Sequence, residues 1–229
     1  TSANNGAVDL GNNTHNLASL VVDAGTGTLD VAETDALTLQ VDNAGAVTLD
    51  TVGDLTLNTG SMTGLTVTAA NSVTDAGALT ISGTTDIDTS AANGNIDLNN
   101  STHSLATLIV DAGTGAVDID ETDALTLQVD GAGDVTVDSV GALTLNAGSM
   151  SNLTVTDATS ITDAGALTVT GTTDLDTSTA NGAIVLDTFT HNLNTFTADA
   201  GTGAIDIDET DALDLGDTTT SALTITAGG

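Results

Sequence analysis

The chain has 229 residues, 32 acidic side chains against no Lys or Arg, and no Pro, Cys, Trp or Tyr. A formal charge of −32 with no cation excludes binding to nucleic-acid phosphates and polybasic contact with an anionic membrane. Lysine-based cofactor chemistry, phosphate-binding loops with their Lys, disulfide scaffolds and thiolate metal sites are excluded by the same counts. No apolar run approaches the roughly 20 residues of a membrane span, so membrane insertion is not expected.

Apolar residues alternate with polar ones in short bursts from the start of the chain: Val8-Asp9-Leu10, Leu29-Asp30-Val31, Leu37-Thr38-Leu39, Val47-Thr48-Leu49, Leu55-Thr56-Leu57, Leu65-Thr66-Val67 and Leu79-Thr80-Ile81. A period of two is the signature of a strand with one buried face. Gly, Asn, Asp, Ser and Thr fill the gaps and mark turns. No segment carries a helical stripe, and disorder is opposed by 39% apolar residues set at regular intervals. The strands are expected to be short, four or five residues each.

A longer period runs over this one. The strings beginning at Thr1, Thr89 and Thr177 are close copies, so the period is 88 residues. The copies cover 1–88, 89–176 and, in part, 177–229, giving one continuous repeat array over 1–229. The chain begins without Met and without a leader, which reads as a slice of a longer array. Between copies, Val8/Ile96, Val21/Ile109, Leu29/Val117, Val31/Ile119, Leu49/Val137, Val73/Ile161, Ile81/Val169 and Ile87/Leu175 exchange one aliphatic for another. A packed interior tolerates such swaps of similar volume. Asn4/Ala92, Asn43/Gly131 and Asp54/Ala142 change character and should face water.

Leu37 to Leu55 and Val47 to Leu65 are steps of equal length, each holding two short strands and two turns. The fold expected is all-β: a parallel β-solenoid (β-helix) rod with about 18 residues per coil, five coils per 88-residue superrepeat and about thirteen coils in all. At about 4.8 Å per coil the rod should be roughly 60 Å long. Neither end of the array carries an obvious cap, so end-to-end pairing is expected.

The segments 53–68, 141–156 and 221–229 (GDLTLNTGSMTGLTVT, GALTLNAGSMSNLTVT, SALTITAGG) resemble the β-solenoid repeats of filamentous-haemagglutinin-like adhesins and related giant bacterial surface proteins. The resemblance implies a secreted, fibrous, non-enzymatic protein. Those proteins normally carry some Lys or Arg, and their absence here points to a saline or calcium-rich setting. The glycine-rich calcium roll of type I secreted proteins is only approached, at Gly113-Thr-Gly115-Ala-Val-Asp118-Ile119.

Candidate chemistry lies in the acidic side chains. Asp118, Asp120, Glu121 and Asp123 lie close together, and Asp206, Asp208, Glu209 and Asp211 repeat them; the first copy has Ala32 where the others have Asp. Hard cations such as Ca²⁺ take several oxygens of this kind, and no protein cation offsets the charge. Each copy also carries one His and one Glu, always one expected coil apart: His15 and Glu33, His103 and Glu121, His191 and Glu209. They should stack on adjacent coils, as a surface hydrogen bond at a turn rather than a catalytic pair. Glycoside hydrolysis by Asp pairs is opposed by the lack of long loops and by aromatic residues limited to two Phe. Thr48, Thr66, Thr80, Thr136, Thr154 and Thr168 should point outward, which raises ice binding as an alternative, though Asp residues interrupt the column. A viral fibre shaft is a further alternative.

The expected function is an extracellular, cell-surface structural fibre or adhesin stalk, associating with copies of itself end to end or side by side. Calcium would stabilise or cross-link it, and a cell-surface or glycan target is the expected outside partner.

Overall fold

In the computed structural model, which describes residues 2–227, seventeen strands form one continuous sheet wound into a β-solenoid of about 12 turns. Neighbouring turns pair in parallel, so backbone hydrogen bonds run along the axis. The alternation explains the winding. Leu29, Val31, Leu37, Leu39, Val47 and Leu49 turn inward and are buried, while Asp30, Thr48 and Asp50 between them face out. One interior row runs Leu37, Leu55, Val73, Ile96, Val117, Val135, Leu153, each no more than 2% exposed. Burying each such side chain contributes about 1.5–3 kcal/mol, and like stacks on like because every turn presents the same register.

The strands are longer than the sequence suggests. Leu37–Thr51, Asp54–Ala69 and Ile96–Asp111 each run 15 or 16 residues, continuing through a bend with a register shift rather than ending at it. Turn length also varies. In residue numbers, the step to the paired position is 18 from Leu37 to Leu55, 21 from Ile96 to Val117, 23 from Val73 to Ile96 and 24 from Thr80 to Ser104. The additional length is at two bends, around 89–95 and around 99–103. In the first, Asn93 is left-handed (φ 54°), and a Cβ on Gly94 would lie 1.6 Å from the Asn71 carbonyl oxygen. Asn181 and Gly182 repeat this in the next copy, φ 56° and 1.8 Å from the Thr159 carbonyl. Only glycine lets the wide bend lie against the turn beneath it.

The wide turns change the relation between copies. One outward row runs Asp9, Asp30, Thr48, Thr66, Asp86, Ile109. The opposite row runs Ser19, Thr38, Thr56, Thr74, Asp97, Asp118, Thr136, Thr154. Asp9 and its equivalent Asp97 are therefore on opposite faces, as are Thr48 and Thr136. Counting strands from Asp9 to Asp97 through both rows (9, 19, 30, 38, 48, 56, 66, 74, 86, 97) gives nine half-turns, so one copy makes four and a half turns, not five. Equivalent residues return to the same face only after two full copies.

The aliphatic exchanges fall inside as expected at Leu29/Val117, Val31/Ile119, Leu49/Val137, Val73/Ile161, Ile81/Val169 and Ile87/Leu175, all buried. Val21/Ile109 departs from this: Val21 is 65% exposed and Ile109 only half-buried, because this pair occupies an outward position between two inward ones. The named Thr residues point outward but share no single column. Thr48 and Thr66 lie on one face, Thr136 and Thr154 on the other, and Thr80 stacks between Ser61 and Ser104.

Candidate functional site

Strand parity decides what the acidic clusters can do. In Val117–Glu121 the inward positions are 117, 119 and 121, so Asp118 and Asp120 lie on the outer surface while Glu121 follows Val117 and Ile119 into the interior. Glu121 is 1% exposed, and so is Glu209. Both oxygens of Glu121 are taken by backbone N–H groups: Leu105 donates to Oε2 at 2.9 Å, Thr122 and Asp123 to Oε1 at 3.0 and 3.1 Å. Glu209 accepts from Leu193 and Thr210 in the same way, and Glu33 from Leu17, Thr34 and Asp35. These glutamates cap the bend where the ladder breaks.

Glu121 and Glu209 therefore leave the outward acidic set. Asp118 and Asp206, Asp120 and Asp208 are part-exposed, and Asp123 and Asp211 are exposed. Asp118 accepts from the Asn99 amide at 2.6 Å, and Asp123 from the Ser104 hydroxyl at 2.7 Å. The cluster does not close into a shell: among the described residues no three His, Asp or Glu side chains gather as a metal ion requires. The acidic residues stack along the axis instead. Asp9 lies over Asp30, Asp97 over Asp118, Asp120 over Asp138, Asp88 over Asp111 and Asp176 over Asp199. Partial burial, then the charge of Asp138, pushes Asp120 above the usual carboxylate range; burial, then Asp130 and Asp88, does the same to Asp86. With turns about 4.8 Å apart, these pairs repel wherever water does not screen them.

The His residues stand in register with the glutamates as the spacing predicts: His15 with Glu33, His103 with Glu121 and His191 with Glu209. The expected surface hydrogen bond between them is not what forms. His103 and His191 are 1% and 0% exposed, and each ring bonds away from its glutamate. Nδ1 of His103 accepts the Leu79 N–H at 3.0 Å, and Nδ1 of His191 accepts that of Leu167 at 3.1 Å. Nε2 faces a carboxylate in the turn before, Asp75 Oδ2 at 3.7 Å and Asp163 Oδ2 at 3.4 Å. With Nδ1 accepting, the neutral ring carries its hydrogen on Nε2. Burial pushes both imidazoles below their ordinary value, outweighing the facing Asp75 and Asp163. It pushes Glu121 up to about 7, outweighing its N–H donors, and Glu209 in the same direction.

Sequence reasoning misses Asp75 and Asp163. They are 4% and 7% exposed and hold the wide bend above: Asn100 N–H donates to Asp75 at 3.0 Å, Phe189 N–H to Asp163 at 2.8 Å. The signal is present in the alternation, since Val73-Thr74-Asp75 and Ile161-Thr162-Asp163 put each Asp at an inward position.

The profile of a family described as "Repeats of unknown function (DUF5649)" matches residues 44–112 and 132–200, two segments in the same place in successive copies that together make up more than half of the chain. No curated protein and no solved structure matches. Among the described residues no helix is long and apolar enough to cross a membrane.

Proposed function

The chain belongs to the DUF5649 repeat family, and from that premise we propose that it is a non-catalytic structural rod of an extracellular, cell-surface fibre or stalk. The observation that carries this reading is the four-and-a-half-turn copy. An array built this way offers the same surface on opposite sides at steps of about 22 Å along the axis, so each rod can meet like neighbours on both flanks. The reading also draws on the adhesin-like segments 53–68 and 141–156. An adhesive target, such as a glycan or another cell surface, belongs to the same proposal.

Lateral association has to overcome 32 negative charges on a rod about 60 Å long. That is roughly one charge per 2 Å, near the density of duplex DNA. We assign the counter-charge to divalent cations, calcium first, held along the stacked Asp rows rather than in a closed chelate. Electron microscopy at increasing calcium tests the proposal. Single rods in chelator should pass to side-by-side bundles in calcium, and not in sodium of equal ionic strength. Rods that stay single at every calcium concentration remove the fibre reading.

A further inference from the structure

Each buried His sits between two carboxylates and beneath a backbone donor, at a point where two wide turns meet. We propose that the Asp75–His103 and Asp163–His191 pairs are acid-opened latches of the solenoid, closed while the imidazole is neutral and released when it is protonated. The closed state follows from the contacts: Nδ1 holds the Leu79 or Leu167 N–H, and Nε2–H faces Asp75 or Asp163. A second proton can enter only at Nδ1. It turns the acceptor of the Leu79 or Leu167 N–H into a donor, so two N–H groups meet at 3.0 to 3.1 Å with no acceptor between them. The contact has to open, and Leu79–Asp88 or Leu167–Asp176 loses the bond that anchors its first residue.

The titratable groups facing His103 are Asp75 from the turn before and Glu121 from the turn after; those facing His191 are Asp163, Glu209 and, farther out, Asp208. Asp75 and the Leu98 carbonyl favour the imidazolium at His103, and Asp163 and the Leu186 carbonyl favour it at His191, with Nε2 3.7 and 3.4 Å from the facing Oδ2. Burial disfavours the charged ring and dominates in both copies. Below the ordinary value of 6.5 the opened state takes up a proton that the closed state refuses, so acid drives opening. The two latches lie at opposite corners, because their copies are an odd number of half-turns apart.

The test is amide hydrogen exchange on the whole chain at pH 7 and pH 5, each rate divided by its intrinsic value. Leu79 and Leu167 should lose about tenfold or more protection at pH 5. Leu127, which touches no latch, should not, and Leu105, which reports Glu121, separates that group's titration from His103's. His103→Gln keeps an acceptor for Leu79 but cannot charge, so protection at Leu79 should become independent of pH while Leu167 still responds. Where that variant fails to fold, ring ¹⁵N shifts of the unaltered chain decide: Nδ1 should be bare at pH 7 in His103 and His191. Equal protection changes at Leu79, Leu167 and Leu127, or a protonated Nδ1 at pH 7, overturns the proposal.

Discussion

Leu127 and Thr126 are adjacent, share a strand and differ only in the side to which they point. Leu127 is 1% exposed and stacked between Leu108 and Leu145; Thr126 is half-exposed between Thr107 and Thr144. Leu127→Asp places an unpaired charge in the bore and should cost about 3–5 kcal/mol, with loss of β-sheet circular dichroism. Thr126→Asp should cost less than about 1 kcal/mol, since its charge stays in water. Similar losses from both refute the assigned faces. Glu121 carries the opposite lesson. Its folded value near 7 lies above the ordinary 4.5, so the stability it contributes is full below pH 4.5 and is lost as pH rises through 7. His103 works the other way, its contribution present above 6.5 and lost as pH falls below it. Glu121→Gln keeps an oxygen for the Leu105 N–H and removes the charge. Its NH2 then faces the Thr122 and Asp123 N–H groups, a cost that does not vary with pH, so in pH-dependent melts the variant should gain about 1–3 kcal/mol on the parent between pH 5 and pH 8. A stability difference between variant and parent that stays the same from pH 5 to pH 8 means that the N–H donors, not burial, govern this carboxyl.

Parallel in-register stacking was legible from the triplets at the level of the element, because a period of two inside a period near 18 leaves few other ways to bury Leu, Val and Ile. What was not legible is where the turns widen. The bends at 89–95 and 99–103 are made mostly of Asn, Ser, Thr, Ala and Gly, residue types that also fill the other bends, and their lengths show only in which residues they bring into register. Coils of one uniform length put Asp97 beside Gly115; the structure pairs it with Asp118. Cysteines introduced into this cysteine-free chain distinguish the two. Asp97→Cys with Asp118→Cys should oxidise to an intramolecular disulfide, since facing Cα atoms of paired strands lie within the span a disulfide needs. Thr74→Cys with Ala92→Cys, the pair a uniform coil predicts where the structure pairs Thr74 with Asp97, should not, and the reverse result restores the uniform coil. The same reasoning explains the site. Parity alone places Asp75, Asp163, Glu121 and Glu209 inside, so their burial was readable. Which backbone N–H each would hold was not, because it depends on the wide turn above.

For the molecule as a whole, odd half-turns and uncompensated charge act together. Each copy presents its stacked Asp pairs on alternate flanks, so neither flank is free of negative charge and repulsion acts around the whole rod as well as between rods. Sodium screens such repulsion over about 8–10 Å at ordinary ionic strength but does not bridge two carboxylates. On the calcium proposal, a divalent cation between Asp97 and Asp118, or between Asp120 and Asp138, would offset two charges at once. It does so only while the turns are stacked, because unfolding separates partners that lie a whole turn apart along the chain. Preferential binding to the stacked state raises stability by mass action, by about 2.7 kcal/mol at a hundred times the dissociation constant of a single site. Thermal melts in calcium, in chelator and in sodium of matched ionic strength should therefore give three separate midpoints, calcium highest and chelator lowest. Asp118→Asn with Asp120→Asn should raise the chelator midpoint and shrink the calcium increment, since it removes both the repulsion and the bridge. Coincident curves for the three salts leave the Asp rows as a solvated surface and remove calcium from the account of stability, while the interior packing that holds the solenoid stands unaffected.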